Sequence, residues 1–402
     1  MHFVPWWGEV FFYFSLLFSD CRDDQSRVVQ RNHFAPIYQY KLVYRGGMVI
    51  FLFIYVKEES QMLKQYLHQL TEGQHLDQQQ SSAAMRIIME GNATDAQIGS
   101  FLTLLKMKGE TIEEIAGFAQ TLLDHADRVK HSKPVICPCG TGGDTKGTFN
   151  VSTAVSFVLA GGGLSVAKHG NRSVSSSCGS ADVLTALGVK VDQPAERVSE
   201  EIEQLGIGFL FAPALNKAMR FVAKPRRELG FRTVFNMLGP IINPAHLDYQ
   251  LVGIYDGNLT EKVAEVLKSV GVKQAMVIHS DDGMDEISTH TQTKVSELKH
   301  GVVRTYKIDP VAYGFASGTI EDYKGGSPIE NAAILRDLLK GVKGAKRDIV
   351  VMNAGAAFYI ANRTASIAEG IELAAQVIDR GAAFEKLEQL IAFSNAGETY
   401  AG

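Results

Sequence analysis

Gly140-Thr141-Gly142-Gly143-Asp144 sets three glycines within five residues, just after the short apolar run Val135-Ile136-Cys137. Glycines let a backbone approach a ligand and present its N–H groups, as anion sites require. The helix expected to begin near Asn150 and Ser152 would turn its positive dipole end toward the same place. The run is neither a Walker loop nor a dinucleotide fingerprint, so alone it reads equally well as a tight turn. A second loop shifts that balance. Lys168-His169-Gly170-Asn171-Arg172, then Ser173 and Ser175-Ser176-Ser177 leading to Gly179-Ser180, gathers cations, hydroxyls and glycines after another apolar run. Such a set suits a polyanion. Two such loops at successive strand ends point to a phosphate-rich ligand.

Two further segments add charge. His279-Ser280-Asp281-Asp282-Gly283-Met284-Asp285-Glu286 carries four carboxylates directly after a strand candidate. An acidic run is usually a solvated loop. Beside a polyphosphate, adjacent carboxylates suit Mg²⁺, which prefers one or two of them plus water and substrate oxygens. Arg226-Arg227-Glu228-Leu229-Gly230-Phe231-Arg232-Thr233 leads into Asn236-Met237-Leu238-Gly239-Pro240 and Asn243-Pro244. An arginine fork matches a carboxylate. Taken singly, it would more often be a surface ion pair. No segment supplies a Ser-His-Asp or Cys-His set, so no nucleophile or obligatory base is expected from the protein.

The surrounding pattern shows what must hold these segments. Thr94-Asp95-Ala96-Gln97 and Thr111-Ile112-Glu113-Glu114 read as capping boxes. Behind the first, Ile98, Phe101, Leu102 and Leu105 make one apolar helical stripe, and Ile115, Phe118 and Leu122 follow the second. Ala84, Ile87 and Ile88 belong to a helix that Gly91 can end. Residues 62–131 are therefore expected to be a small helical domain, with a later helical insertion near 195–222. Past Pro134 the rhythm changes. Strands are expected at 135–137, 164–167, 251–255 and 275–278, with helices from 151, over 179–187 and through 347–393. Strand–helix–strand at this spacing is a βαβ crossover and implies a mainly parallel central sheet in an α/β domain over 132–402.

The chain has 402 residues, which at roughly 150 per domain allows two to three folding units. Forty basic against 44 acidic side chains give a net charge of −4, which argues against a dedicated nucleic-acid binder. Four cysteines without a CxxC pair exclude a zinc-ribbon reading and favour a reducing, cytoplasmic setting. Residues 1–61 stand apart. They hold both tryptophans and two apolar runs, at 11–18 and 48–56, each too short to cross a membrane. An interfacial anchor, an extra strand and a start read too early are all open. The last is favoured, because Lys57-Glu58 can be encoded as a ribosome-binding sequence ahead of Met62. The expectation is an atypical extension, mis-started or disordered.

In this order, the four segments from about Met62 onward resemble anthranilate phosphoribosyltransferases. The likeness rests on the glycine loop, Asn150-Val151-Ser152-Thr153, residues 168–176, Asn-Met-Leu-Gly-Pro and Asp285-Glu286. Nucleoside phosphorylases share the general arrangement, but Lys168-His169-Gly170-Asn171 favours the anthranilate enzymes. The resemblance implies a helical domain hinged to an α/β domain of phosphoribosyltransferase type, with the site in the cleft between them. It also implies a homodimer through the helical part and no nucleic-acid or membrane partner. The implied reaction moves the phosphoribosyl group of phosphoribosyl pyrophosphate to anthranilate with Mg²⁺. Gly140, Gly143, Asp144, Thr148, Asn150, Val151, Ser152, Thr153, Lys168, His169, Gly170, Asn171, Arg172, Ser173, Val174, Ser175, Ser176 and Ser180 would hold the donor. Gly140, Asn171 and Arg226, with His169 nearby, would meet anthranilate, and Ser152, Asp285 and Glu286 the metal. Ser177 departs from the lysine common there, and Pro138-Cys139 is unusual. The alternatives are a pyrimidine nucleoside phosphorylase and a silent, nucleic-acid-binding paralogue.

Overall fold

The structure is a computed structural model that describes residues 38–45, 48–55, 59–142, 144, 146–173, 177–315 and 318–396. The chain divides into two units, Met1–Glu59 and Ser60–Gly402. In the first, β1 (Tyr38–Arg45) and β2 (Met48–Tyr55) pair antiparallel, from Tyr38 opposite Tyr55 to Arg45 opposite Met48. An extra strand, one of the readings left open there, is thus present twice. The apolar run at 11–18 and both tryptophans lie outside the described residues.

The second unit opens with four helices: α1 (Glu59–Thr71, its first residue in the other unit), α2 (Gln78–Met89), α3 (Asp95–Lys108) and α4 (Ile112–Asp124). Both expected capping boxes form. Thr94 accepts the Gln97 N–H and Thr111 the Glu114 N–H, each at 3.2 Å, while both N3 side chains reach back. Asp77 and Gln80 build a third at the start of α2. Gly91, at φ +79°, lies two residues beyond the end of α2, in the left-handed turn that glycine favours. Phe101 and Phe118 meet edge to face in the core of this bundle.

The α/β part follows: β3 (Val135–Gly140), α5 (Val151–Gly161), β4 (Ser165–Gly170), α6 (Ser180–Leu187), α7 (Ala195–Leu205), β5 (Ile207–Phe211), α8 (Ala212–Leu215), α9 (Arg220–Leu229) and α10 (Phe235–Ile241). Then come β6 (Tyr249–Gly253), α11 (Thr260–Ser269), β7 (Gln274–Ser280), β8 (Thr293–Lys299) and β9 (Val302–Ile308). Four helices close the chain: α12 (Pro328–Leu339), α13 (Ala345–Ile360), α14 (Ile367–Asp379) and α15 (Ala382–Asn395). The sheet order is β5-β4-β3-β6-β7-β8-β9. Its first five strands are parallel, and β8 and β9 add antiparallel at one side. Alternate residues feed opposite faces. Met276 and Ile278 join the core under α5 and α12–α15, whereas Ala275 and Val277 join the core shared with the helical bundle.

The helical insertion expected near 195–222 needs correction. That stretch contains β5, flanked by α7, which packs on β5 and α15, and by α9, which packs on α3. Five apolar or glycine residues, Ile-Gly-Phe-Leu-Phe, are too few to separate a buried strand from a helical segment by periodicity.

Candidate functional site

Strand ends create the site. β3 finishes at Gly140, and the chain turns back through Thr141, whose N–H donates to the Gly253 carbonyl at the end of β6 (2.9 Å). The Thr141 hydroxyl accepts the Tyr255 N–H at 3.1 Å. Gly142 donates its N–H to Asp285 Oδ2 at 3.0 Å, which draws the acidic loop after β7 over the glycine loop. Space dictates the glycines here. A Cβ on Gly140 would sit 2.5 Å from Asp285 Oδ2, and one on Gly253 would overlap the Asp285 carbonyl. Gly253 escaped the sequence reading, although a glycine closing an apolar strand signals a close backbone approach.

Lys168, near the end of β4, is buried, with Nζ 2.8 Å from the Pro138 carbonyl and 3.1 Å from Ser152 Oγ. It therefore links β3, β4 and the first turn of α5. A buried ammonium with two neutral acceptors still needs negative charge nearby, and the Glu286 carboxylate supplies it while accepting the Ser152 N–H. The acids are crowded. Burial first, then the Asp144 carboxylate, pushes Asp285 up to about 7. Burial, then Asp285, pushes Glu286 well above the usual carboxylate range, against the pull of Lys168. Asp285 is buried, unlike the solvated loop that an acidic run usually means.

Oxygen donors of this kind are what a hard dication takes, but among the described residues no three carboxylates converge closely enough to hold an ion by themselves, so water and substrate oxygens would have to complete the shell. Ser152, Asp285 and Glu286 are the donors expected from the sequence, and repulsion among the acids is what a bound cation would relieve. At the start of α5 the Thr153 hydroxyl is buried without a hydrogen-bond partner among the described residues. Asn150 makes no side-chain cap at this helix start, where the Val151 N–H goes to the Phe149 carbonyl at 2.7 Å. The Asn150 amide instead donates to the Cys178 carbonyl at 3.2 Å.

The other expected donor residues divide into two groups. Ser180 opens α6 with its hydroxyl on the Asn171 carbonyl, and a Cβ on Gly170 would overlap that hydroxyl. Arg172 pairs with Asp182 at 3.1 Å, and Ser173 gives its N–H to the same carboxylate, so both hold the loop to α6. Val151 is buried in the core, its N–H on the Phe149 carbonyl. Thr148 bridges to Lys324. Gly143, Val174, Ser175 and Ser176 lie outside the described residues.

On the acceptor side, Arg226 lies in the last turn of α9, half-buried, its guanidinium 5.2 Å from the Phe235 ring. Burial lowers its pKa, and among the described residues it makes no ion pair. His169 Nδ1 lies 3.2 Å from the Gly239 carbonyl, the glycine of the Asn-Met-Leu-Gly-Pro stretch. Burial holds this imidazole down at about 4, so it is neutral with Nδ1–H donating and Nε2 a buried acceptor without a partner. Asn243 serves the scaffold, donating to the Ala167 carbonyl of β4 at 2.9 Å. A separate cleft of about 480 Å³ is lined by Arg232, Tyr255, His279 and Lys294. On its wall Lys307 pairs with Asp281, and Lys294 donates to the Gly257 carbonyl.

Comparison with known proteins agrees with this arrangement. Residues 132–384 match the α/β domain of a glycosyl transferase family, and residues 64–126 match its helical bundle domain. An anthranilate phosphoribosyltransferase of Acetivibrio thermocellus is 52 % identical over 340 residues, covering 84 % of this chain and 99 % of its own. One from Methanocorpusculum labreanum is 49 % identical over 335 residues, 83 % of this chain and 98 % of its own. Among solved structures, the anthranilate phosphoribosyltransferase of Thermus thermophilus superposes with a TM-score of 0.79 at 41 % identity, over 82 % of this chain and 99 % of that one. The Saccharomyces cerevisiae enzyme in complex with PRPP and Mg gives 0.77 at 27 % identity, over 83 % and 98 %.

Proposed function

We infer the chemistry from the premise that this chain belongs to the anthranilate phosphoribosyltransferases of the glycosyl transferase family. It transfers the phosphoribosyl group of 5-phosphoribosyl 1-pyrophosphate to the amine of anthranilate, giving N-(5-phosphoribosyl)anthranilate and pyrophosphate, a step of tryptophan biosynthesis. Identities near one half, with nearly the full length of the relatives covered, support the transferase over a nucleoside phosphorylase or a silent paralogue.

One observation carries the residue assignment: Ser152 accepts from Lys168 and gives its N–H to Glu286, whose carboxylate feels the Lys168 charge, where the first turn of α5 meets the glycine loop. Loss of pyrophosphate builds negative charge on the leaving group and positive charge on the ribose. The positive dipole end of α5 and the Lys168 ammonium meet the first, preorganised before any bond breaks. Glu286 and Asp285, with Ser152, would hold Mg²⁺, which would neutralise pyrophosphate charge. The site of Arg226, desolvated and without a carboxylate partner, suits the anthranilate carboxylate. Neutral His169 can accept but not donate at Nε2, which matches an amine that must keep its lone pair for attack. Gly140 and Asn171 complete the acceptor's surroundings, and Gly143, Asp144, Thr148, Asn150, Thr153, Gly170, Ser176 and Ser180 those of the donor.

The chain acts as a homodimer through its helical part, in a reducing cytoplasm. Among the described residues Cys137, Cys139 and Cys178 are buried free thiols, and no helix is long and apolar enough to cross a membrane. The test of the function is the loss of anthranilate fluorescence on adding phosphoribosyl pyrophosphate and Mg²⁺. Turnover of thymidine or uridine with phosphate instead would reverse the reading.

A further inference from the structure

The phosphate site is assembled from two loops distant in sequence, residues 140–152 and the acidic loop between β7 and β8. Residues 323–331, from yet another part of the chain, bond to both. Tyr323 is fully buried. Its carbonyl accepts the Phe149 N–H at 2.9 Å, Lys324 bridges to Thr148, and the Gly325 N–H donates to the Gly147 carbonyl at 2.9 Å. The approach is tight enough that a Cβ on Gly325 would lie 2.8 Å from Phe149 Cα. Asn331 then accepts the Gly326 N–H at 2.8 Å and donates to Asn150 Oδ1 at 3.0 Å. The backbone leading into α5 is thus held over four consecutive residues, 147–150.

The same tyrosine reaches the acidic loop by its side chain. Its hydroxyl lies 2.6 Å from Thr289 Oγ1, and its ring stacks on His290, centroids 5.5 Å apart and 19° from parallel. His290 continues the chain of contacts. Its Nδ1 is 3.1 Å from Ser288 Oγ, and its Nε2 lies 3.2 Å from Asp282 Oδ2, a close approach without hydrogen-bond geometry that leaves this oxygen no hydrogen-bond partner among the described residues. Ser288 Oγ already accepts the His290 and Thr291 N–H groups, so its own proton points to Nδ1. Nε2 is then the ring nitrogen beside Asp282. The other oxygen of Asp282 accepts the Ser280 hydroxyl and the Met284 N–H, the latter at 3.0 Å. Met284 immediately precedes Asp285. Beyond Glu286, the Asn353 amide accepts the Ile287 N–H and donates to the Ile287 carbonyl, both at 2.9 Å. The acidic pair is therefore pinned on both flanks, and on its leading flank the anchor runs back to Tyr323.

We propose that Tyr323, with His290 stacked upon it, is a positioning residue that fixes the separation between the start of α5 and the Asp285-Glu286 pair, and so controls binding at the pyrophosphate end of the donor and not of anthranilate. The inference rests on the functional reading above. Neither side chain touches a reacting atom; each acts through Phe149, Met284 and Thr289. Misplacement of a charged group by about 1 Å is enough to cost a large factor in a preorganised site.

His290→Ala and Tyr323→Phe test this, with His290→Gln as the conservative variant, since its planar amide keeps a polar group beside Asp282 and against the Tyr323 ring. In His290→Ala the Michaelis constant for phosphoribosyl pyrophosphate and the Mg²⁺ needed for half-activation should each rise about tenfold. The constant for anthranilate should stay within about twofold. Tyr323→Phe, which keeps the ring and loses the Thr289 bond, should move the same constants less. His290→Gln should recover most of the loss. A second readout needs no turnover: the rise in melting temperature on adding Mg²⁺ and inorganic pyrophosphate should shrink in His290→Ala, with the ligand-free melting temperature nearly unchanged. Equal effects on both substrates, or an unaltered response to pyrophosphate, would overturn the positioning role. A parent chain that binds pyrophosphate but never consumes anthranilate would instead overturn the functional reading, leaving the melting comparison to judge this one.

Discussion

Arg226 carries a positive charge in a half-buried place without an ion pair among the described residues, an arrangement costly unless a ligand supplies the anion. Arg226→Ala should raise the Michaelis constant for anthranilate by an amount worth about 1.5–3 kcal/mol, as a lost charge-assisted bond implies. The constant for phosphoribosyl pyrophosphate should move far less, and steady-state kinetics with each substrate varied in turn decides between them. The acidic pair behaves differently. Asp285 is held above its ordinary range by burial and the Asp144 carboxylate, and Glu286 by burial and Asp285, so their ionised forms strain the ligand-free protein. Asp285→Asn with Glu286→Gln removes that repulsion, and the asparagine keeps an oxygen for the Gly142 N–H. The double variant should melt within a few degrees of the parent or above it, yet lose most activity and demand much more Mg²⁺. Normal turnover with an unchanged Mg²⁺ dependence would remove these residues from the metal site. At this scale the sequence was legible where chemistry clusters locally: Lys168, Ser152 and Glu286 do meet. It was silent on Tyr323, His290 and Asn353, because a lone tyrosine, histidine or asparagine signals nothing until folding brings it beside a distant loop.

Elements were legible in proportion to their local signals. Thr94 and Thr111 announce α3 and α4 because a capping box is written within four residues. The glycine after each short apolar run announces β3 and β4. β5 was absorbed into a helical expectation, and the β8–β9 hairpin went unseen because its strands alternate polar residues and β9 is largely exposed. The helix beside β5 bears a testable cost. Glu201 of α7 is buried against β5, where it accepts the Phe209 N–H at 3.4 Å and leaves Oε1 without a partner. Burial pushes its carboxyl up to about 7, from an ordinary 4.5 in the unfolded chain. A raised carboxylate pKa means the folded state binds the proton more tightly. Stability from this group is therefore full below pH 4.5, falls as pH climbs to about 7, and stays lower above it. Glu201→Gln, which stays neutral, should melt several degrees above the parent at pH 8 and close to it at pH 4. Parallel melting curves for the two proteins across that range would show that Glu201 carries no such penalty.

In the second unit, the helical bundle and one face of the sheet share a single apolar core, so the short helical domain is stabilised through the larger one. Leu63, Tyr66 and Leu70 of α1 lie in that core with Ile88, Leu102 and Phe118, which makes α1 part of the bundle from Leu63 onward. The family likeness is confined to the same span: the helical match begins at residue 64, and relatives covered to 99 % of their length leave 16 % of this chain unmatched. Both observations bear on residues 1–61. If the bundle needs only its own apolar stripe and its capping boxes, these residues contribute neither to stability nor to the phosphate site. We propose that a chain beginning at Met62 keeps its fold and its turnover, because shortening α1 by three residues frays one turn and removes no core side chain from Leu63 onward. Its melting temperature should fall by no more than a few degrees, and both Michaelis constants should equal those of the full chain. Precipitation or lost activity in the shortened chain, with the full chain active under the same conditions, would make residues 1–61 a working part of the enzyme. The intact mass of the protein from its native host would then show which start the cell uses.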